Sequence, residues 1–360
     1  MKLGFGFYHY MLNEDYYRFA RQCGATHAVV HLVDYFYKGS GHTPEDNQPV
    51  GDIHGWGEAG ATRHLWTYEY FMELRDDMAR HGLTFEVLEN FDPADWYDVL
   101  LDGPKKEEQI ERLKTIVRDA GRAGIKIIGY NFSIAGVAGR VTGPFARGGA
   151  YSVGMEGPVN DPIPLGMVWN MVYDRNAPPG YLPEITHEEL WRRLEFFLSE
   201  LIPVAEEAGV VLALHPDDPP LERVRQQPRL VYRPSLYQRL LDRFPSRAVG
   251  LEFCLGTLAE MQEDDLYRTV EQYVAQKRVA YIHFRNVRGK VPYYKEVFID
   301  EGDIDMQRII RILRDLGYEG ILIPDHTPQM TCAAPWHAGM AFAMGYMKAL
   351  IDCTEGSSPG

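Results

Sequence analysis

Residues 205–220 read AEEAGVVLALHPDDPP. A charged helical segment ends at Gly209, an apolar run follows, and the run stops at His215 before two aspartates and three prolines. Glycine suits the left-handed position just past a helix end. An apolar run without alternation suits a parallel strand buried on both faces. The same helix–glycine–strand unit recurs as RFARQCGATHAVVHLV (18–33), DDMARHGLTFEVLE (76–89), RDAGRAGIKIIGYNF (118–132) and RDLGYEGILIPDH (314–326). Repeated units of this kind predict βα repeats around a parallel sheet.

Working outward, strands are predicted at 3–8, 27–33, 84–89, 126–132, 210–216, 249–256, 279–287 and 320–326, with helices between them and a last helix at about 337–352. Eight strands alternating with eight helices describe an α/β fold of the (β/α)8 TIM-barrel type. An open doubly wound sheet is the alternative, but no GxGxxG follows the first strand. The glycines from 129 to 149 lack the context of a phosphate loop. Residues 1–353 are read as a single barrel domain and 354–360, TEGSSPG, as a flexible tail. Two connections are far longer than a barrel requires, 34–65 after strand two and 133–186 after strand four. Both fall on the face where barrel enzymes keep their active sites.

The 360 residues carry a net charge of −14 with acids spread along the chain, which argues against nucleic acid and anionic membranes as partners. It leaves room for a small anionic substrate, which responds to local charge. No stretch approaches the ~18 apolar residues of a spanning helix. The start, MKLGFGFYHYMLNEDYY, acquires acids too early for a signal peptide, so a soluble cytoplasmic protein is expected. Cys23, Cys254, Cys332 and Cys353 form no close pair, so a disulfide framework is not expected and each is a buried thiol or a ligand.

On this map His215 ends strand five, Cys254 lies near the end of strand six, His283 lies within strand seven and Asp325 ends strand eight. Singly, each has an ordinary structural explanation. Together they are four ligand-type side chains at the C-terminal ends of four consecutive strands, which converge in a closed barrel. Two imidazoles, a thiolate and a carboxylate can hold a divalent metal and leave positions open for substrate. Arg285 follows His283 by two and shares its face, suited to bidentate binding of a carboxylate. His326, beside Asp325, is a candidate for proton transfer. Glu89 ends strand three and can point into the site, whereas Glu86, deeper, reads as a structural partner. Tyr130 and Asn131 face opposite sides at the end of strand four, so one of the two contacts substrate. His31 can reach the mouth from strand two but reads first as a core histidine, and His54, Trp56 and His64 decorate the first long loop, where they can cover the pocket.

The segments LALHPDDPP, CLGT, HFRNV, IPDH and GYMKAL, with FEVLEN on strand three and GIKIIGYNF on strand four, resemble the D-mannonate dehydratase family in order along most of the chain. The resemblance implies a sugar-isomerase-like TIM barrel that removes water from D-mannonate to give 2-dehydro-3-deoxy-D-gluconate, using a divalent metal, usually Mn2+. It carries ligand roles onto His215, Cys254, His283 and Asp325, and a catalytic role onto His326. Ligand chemistry alone would also admit Fe2+, Co2+ or Zn2+. Two departures stand out. Where the family has a catalytic tyrosine in a Pro-Gly-Tyr segment, this chain has Pro335, Trp336 and His337, so His337 takes the tyrosine's place as a candidate catalytic residue. After GYNF, the family's segment with aspartate, Trp, Thr and Arg is replaced by SIAGVAGRVTGPFARGGAYSVGM, in which Arg140 and Arg147 are the candidates for the missing arginine. These departures keep two other readings open: a metal-dependent sugar or keto-acid isomerase or epimerase, and a catalytically silent sugar-acid-binding barrel. A homo-oligomer is compatible with all three.

Overall fold

Alternation along each predicted strand decides the architecture. In the computed structural model, which describes residues 1–37, 54–263 and 265–355, eight parallel strands close into a barrel. They are β1 (Lys2–Phe7), β2 (His27–Val30), β3 (Thr84–Glu89), β4 (Ile127–Tyr130), β5 (Val211–Leu214), β6 (Val249–Cys254), β7 (Val279–His283) and β8 (Ile321–Ile323). Each pairs with its sequence neighbours, and Lys2 of β1 registers with Ile321 of β8 to close the ring. The inward set includes Val29, Val87, Ile127, Ala213, Tyr281, Ile321 and Ile323, which pack together inside the barrel. The outward set, including Leu88, Ile128, Leu212, Phe253 and Ile282, packs against the surrounding helices in the main core. The helix before β5, His187–Ala208, ends at Gly209 with φ 66°, the left-handed cap expected from sequence.

Several strands are shorter than their apolar runs, because the barrel pairing ends where the chain turns out toward the loops. β7 stops at His283, and Val287 begins a separate hairpin, Val287–Lys290 with Tyr293–Glu296. That hairpin joins two strands from the long connection after β4, Arg140–Ala146 and Ala150–Glu156, in a four-stranded antiparallel sheet over the barrel mouth, called here the mouth sheet. The expectation of one strand over 279–287 is corrected accordingly. The last helix spans Pro335–Glu355, two residues into the segment expected as a tail, and 356–360 lie outside the described residues. Half of the first long connection, 38–53, lies outside them too. Among the described residues no helix is long and apolar enough to cross a membrane.

Candidate metal-binding active site

The period of two places the functional side chains. Glu89 shares the inward face of β3 with Val87, and Cys254 that of β6 with Glu252. His215 follows Ala213 on β5, and His283 follows Tyr281 on β7. Asp325 lies two residues past β8 with φ 61°, a left-handed conformation that an aspartate tolerates. Donor atoms of His215, Cys254 and His283 lie within 4.8 Å of one another, and Asp325 Oδ2 lies 3.5 Å from His283 Nδ1. The four predicted ligands are therefore brought together.

Electrostatics suit a cation. Burial opposes ionisation of the Cys254 thiol, but Arg285 and the two imidazoles outweigh it and hold its pKa well below the usual thiol value. Asp325 is likewise held well below the usual carboxylate range, with burial opposed by His326, His283 and Arg285. His215 Nδ1 lies 2.5 Å from the carbonyl oxygen of Pro216, an atom that only accepts, so Nδ1 carries a hydrogen and Nε2 is the nitrogen left for a metal. His283 Nδ1 is buried without a hydrogen-bond partner. A thiolate, a carboxylate and two available imidazole nitrogens fit a divalent ion.

Arg285 departs from its expected role. Only 2% exposed, it gives Nη1 to Glu296 at 2.6 Å and Glu260 at 3.2 Å. Its Nη2 meets Thr257 at 3.0 Å, Cys254 at 3.2 Å and Asp218 at 3.3 Å, and Nε lies 3.4 Å from Asp325. Gly256 makes room, since a Cβ there would collide with the guanidinium. With Nη1 and Nη2 donating to protein groups, and the side chain outside the cavity lining, Arg285 sits as a buried counter-charge.

His326 lines a cavity beside the ligand cluster, with Nδ1 3.1 Å from Glu296 and Nε2 3.1 Å from Asp325. Asn131 also lines it, and its Oδ1 has no hydrogen-bond partner. Tyr130 faces the other way, its ring centroid 5.1 Å from that of Phe197 in the outer core. The structure thus resolves the pair in favour of Asn131, because Tyr130 shares the outward parity of Ile128. His337 is likewise outside the cavity. The last helix begins at Pro335 and sets the His337 ring 4.9 Å from Phe19 and 5.7 Å from Tyr16. Arg140 is buried at the cavity wall, 2.8 Å from Asp218, whereas Arg147 pairs with Asp300 at the surface.

Asp217 fixes the loop after His215, accepting from the Leu230 and Val231 amides at 2.8 Å and from Arg229 at 3.1 Å. Glu86 pairs with Lys2 at 2.8 Å, as expected of a structural carboxylate. Several cavity residues were not singled out from sequence as lining the site: Tyr8, Tyr35, Trp169 and Asp218. His31, expected in the core, faces the cavity with Nε2 3.6 Å from Glu89. Parity carried the signal, since His31 is two beyond inward Val29, and Tyr8 is two beyond Gly6, whose α-carbon faces inward Ile323. Glu252, 1% exposed beneath the cluster, obeys the same rule. Burial and the adjacent Glu89 charge push its carboxyl up to about 8. Glu89 itself falls to about 2, because His31 and His283 outweigh its burial.

Comparison with known proteins agrees with this geometry. The family model for D-mannonate dehydratase (UxuA) matches residues 57–141 and 180–354, leaving out much of the divergent connection after β4. A mannonate dehydratase from Streptococcus pneumoniae (strain 70585) is 30% identical over 275 residues, covering 72% of this chain and 74% of that protein. One from Oceanobacillus iheyensis is 26% identical over 328 residues, covering 85% and 88%. The crystal structure of mannonate dehydratase from Streptococcus suis serotype 2 superposes with a TM-score of 0.76 at 25% identity, covering 100% of this chain and 96% of that one. A D-psicose 3-epimerase from Clostridium cellulolyticum H10, with a TM-score of 0.56 at 12% identity over 99% of each chain, shares the fold alone. With a family model across most of its length and 30% identity to a curated relative over 72% of it, the chain belongs to the D-mannonate dehydratase family.

Proposed function

We propose that the protein is a metal-dependent hydro-lyase that converts D-mannonate to 2-dehydro-3-deoxy-D-gluconate in the cytoplasm, with Mn2+ as its metal. The convergence of His215, Cys254, His283 and Asp325 beside the cavity that His326 lines is the observation that carries this reading. Bound by those four residues, a divalent cation supplies electrostatic stabilisation of the negative charge that develops as the C2 proton leaves. The chain's own groups supply the rest. His326 gives its Nδ1 hydrogen to Glu296, so Nε2 is the atom that exchanges a proton at the cavity wall. Arg140, in place of Arg285, offers the guanidinium for the substrate carboxylate. Asn131 has an unpartnered oxygen for a sugar hydroxyl. Departure of the C3 hydroxyl as water and tautomerisation of the enol then give the 2-keto-3-deoxy acid.

The test is incubation of metal-loaded protein with D-mannonate and assay for the 2-keto-3-deoxy acid. Absence of product with Mn2+, Co2+ and Fe2+ overturns the reading. A second reading, isomerisation or epimerisation of a sugar or keto acid at the same centre, is favoured by one observation. Residues 142–179, which include part of the mouth sheet, lie outside the family match. A panel of aldonates and ketoses separates the two.

A further inference from the structure

Glu252 poses a question that the ligand set leaves open. It lies on the inward face of β6, two residues before Cys254, and is 1% exposed. A carboxyl in a barrel interior costs several kcal/mol unless something pairs with it. Both its oxygens lack a hydrogen bond of good geometry, yet Oε1 lies 3.1 Å from His283 Nε2. Its other oxygen shares with the Tyr281 hydroxyl the space that a Cβ on Gly129 would fill. β4 therefore carries a glycine where any side chain would expel this carboxyl from the barrel. From β3, Glu89 reaches the same nitrogen, with Oε2 3.2 Å from His283 Nε2. The opposite nitrogen, Nδ1, has no hydrogen bond and lies 3.5 Å from Asp325 Oδ2.

We infer that Glu252 and Glu89 are positioning residues that fix the tautomer of His283, holding its Nε2 hydrogen so that Nδ1 is the nitrogen offered to the metal. The inference rests on the metal site of the proposed function, and on no particular substrate. A neutral imidazole carries one hydrogen, and oxygen acceptors on one side place it there. The lone pair then lies on the side of Asp325. The two histidines are thereby set in opposite senses: His215 is held at Nδ1 by a backbone carbonyl and offers Nε2, whereas His283 is held at Nε2 and offers Nδ1. A carboxylate behind a ligating histidine also raises its basicity, and loss of such a partner typically weakens metal binding about 10–100-fold. The competing use of the trio Glu89, Glu252 and His283, whose donor atoms also lie within 4.8 Å of one another, is a second cation site.

Zn2+ serves as the probe because it is diamagnetic. The full-length protein is labelled with 15N-histidine, loaded with Zn2+ and examined by long-range 1H–15N correlation. The expected result is His283 protonated at Nε2 and metal-bound at Nδ1, with one Zn2+ per chain by elemental analysis. Metal bound at Nε2, two ions per chain, or no uptake overturns the inference. Affinity, measured by competition with a chromophoric chelator, is expected to fall about 10–100-fold in Glu252→Met and to stay within about threefold of wild type in Glu252→Gln, which keeps an acceptor oxygen. Equal affinities for both variants also overturn it, and the wild-type spectrum decides the matter if Glu252→Met fails to fold. None of these readouts uses D-mannonate. Failed turnover with a correct spectrum therefore sinks the dehydratase reading alone, and Nε2 ligation sinks this inference alone.

Discussion

Arg285 and His326 show how one carboxylate can serve two purposes. Glu296 accepts from Arg285 on one oxygen and from His326 on the other, so the counter-charge and the proton-transfer group share an anchor. Replacing Arg285 by Met leaves Glu296, Glu260 and Asp218 buried around an apolar side chain. Breaking buried ion pairs from one side costs about 3–5 kcal/mol. Arg285→Met is therefore expected to lower the urea midpoint by a corresponding amount, and an unchanged midpoint would contradict the burial argument. His326→Asn is expected to cut kcat on D-mannonate by about 10²–10⁴-fold, the range for a positioned acid–base group, while bound metal by elemental analysis stays the same. His337→Phe tests the opposite expectation. Because its ring rests on Tyr16 and Phe19 outside the cavity, the variant should retain kcat and KM within about twofold, surface-type changes away from a site being small in effect.

The mouth sheet is the element through which this chain departs most from what its strands announce. Arg140 sits at its inner end, buried against Asp218, and Arg147 at its hairpin, exposed beside Asp300. Arg140→Ala is expected to raise KM for the sugar acid by at least tenfold, a loss of the order of one charge-assisted hydrogen bond, and Arg147→Ala to leave it unchanged. Steady-state kinetics on the two variants decides which arginine meets substrate. β2, β3, β4, β5 and β8 were legible because each follows a helix and a glycine. The mouth strands were not, since RVTGPFA and AYSVGME mix glycine, proline and small polar residues, and AYSVGME pairs with Tyr293–Glu296 across about 140 residues of chain. The convergence of His215, Cys254, His283 and Asp325 was legible from strand ends alone. Strand position placed Arg285 on the site face but said nothing of the acids that surround it. Alternation already placed His31 and Glu252 inward; what it could not supply was which partners they would find there.

Across the whole molecule, net charge is −14 while the cluster gathers Glu89, Glu252, Asp325 and a thiolate in one buried volume. Binding a cation at His215, Cys254, His283 and Asp325 has no counterpart in the unfolded chain. Metal at a thousandfold its Kd stabilises by about 4 kcal/mol, so chelation is expected to lower the calorimetric Tm and readdition to restore it. A Tm indifferent to metal would remove the cluster from the list of ligands.

Glu296 belongs to the strand Tyr293–Glu296, which is stitched through Tyr294 and Met155 to the connection after β4 and through Ser152, whose hydroxyl donates to the Glu296 carbonyl at 2.6 Å. The base of the metal site is barrel, but the partner that steadies His326 arrives on a sheet assembled from two separate stretches of chain. A molecule whose barrel has closed while those stretches are still apart would take up its ion and remain idle. Metal binding and the anchoring of His326 thus depend on two separate assemblies, the closed barrel and the mouth sheet.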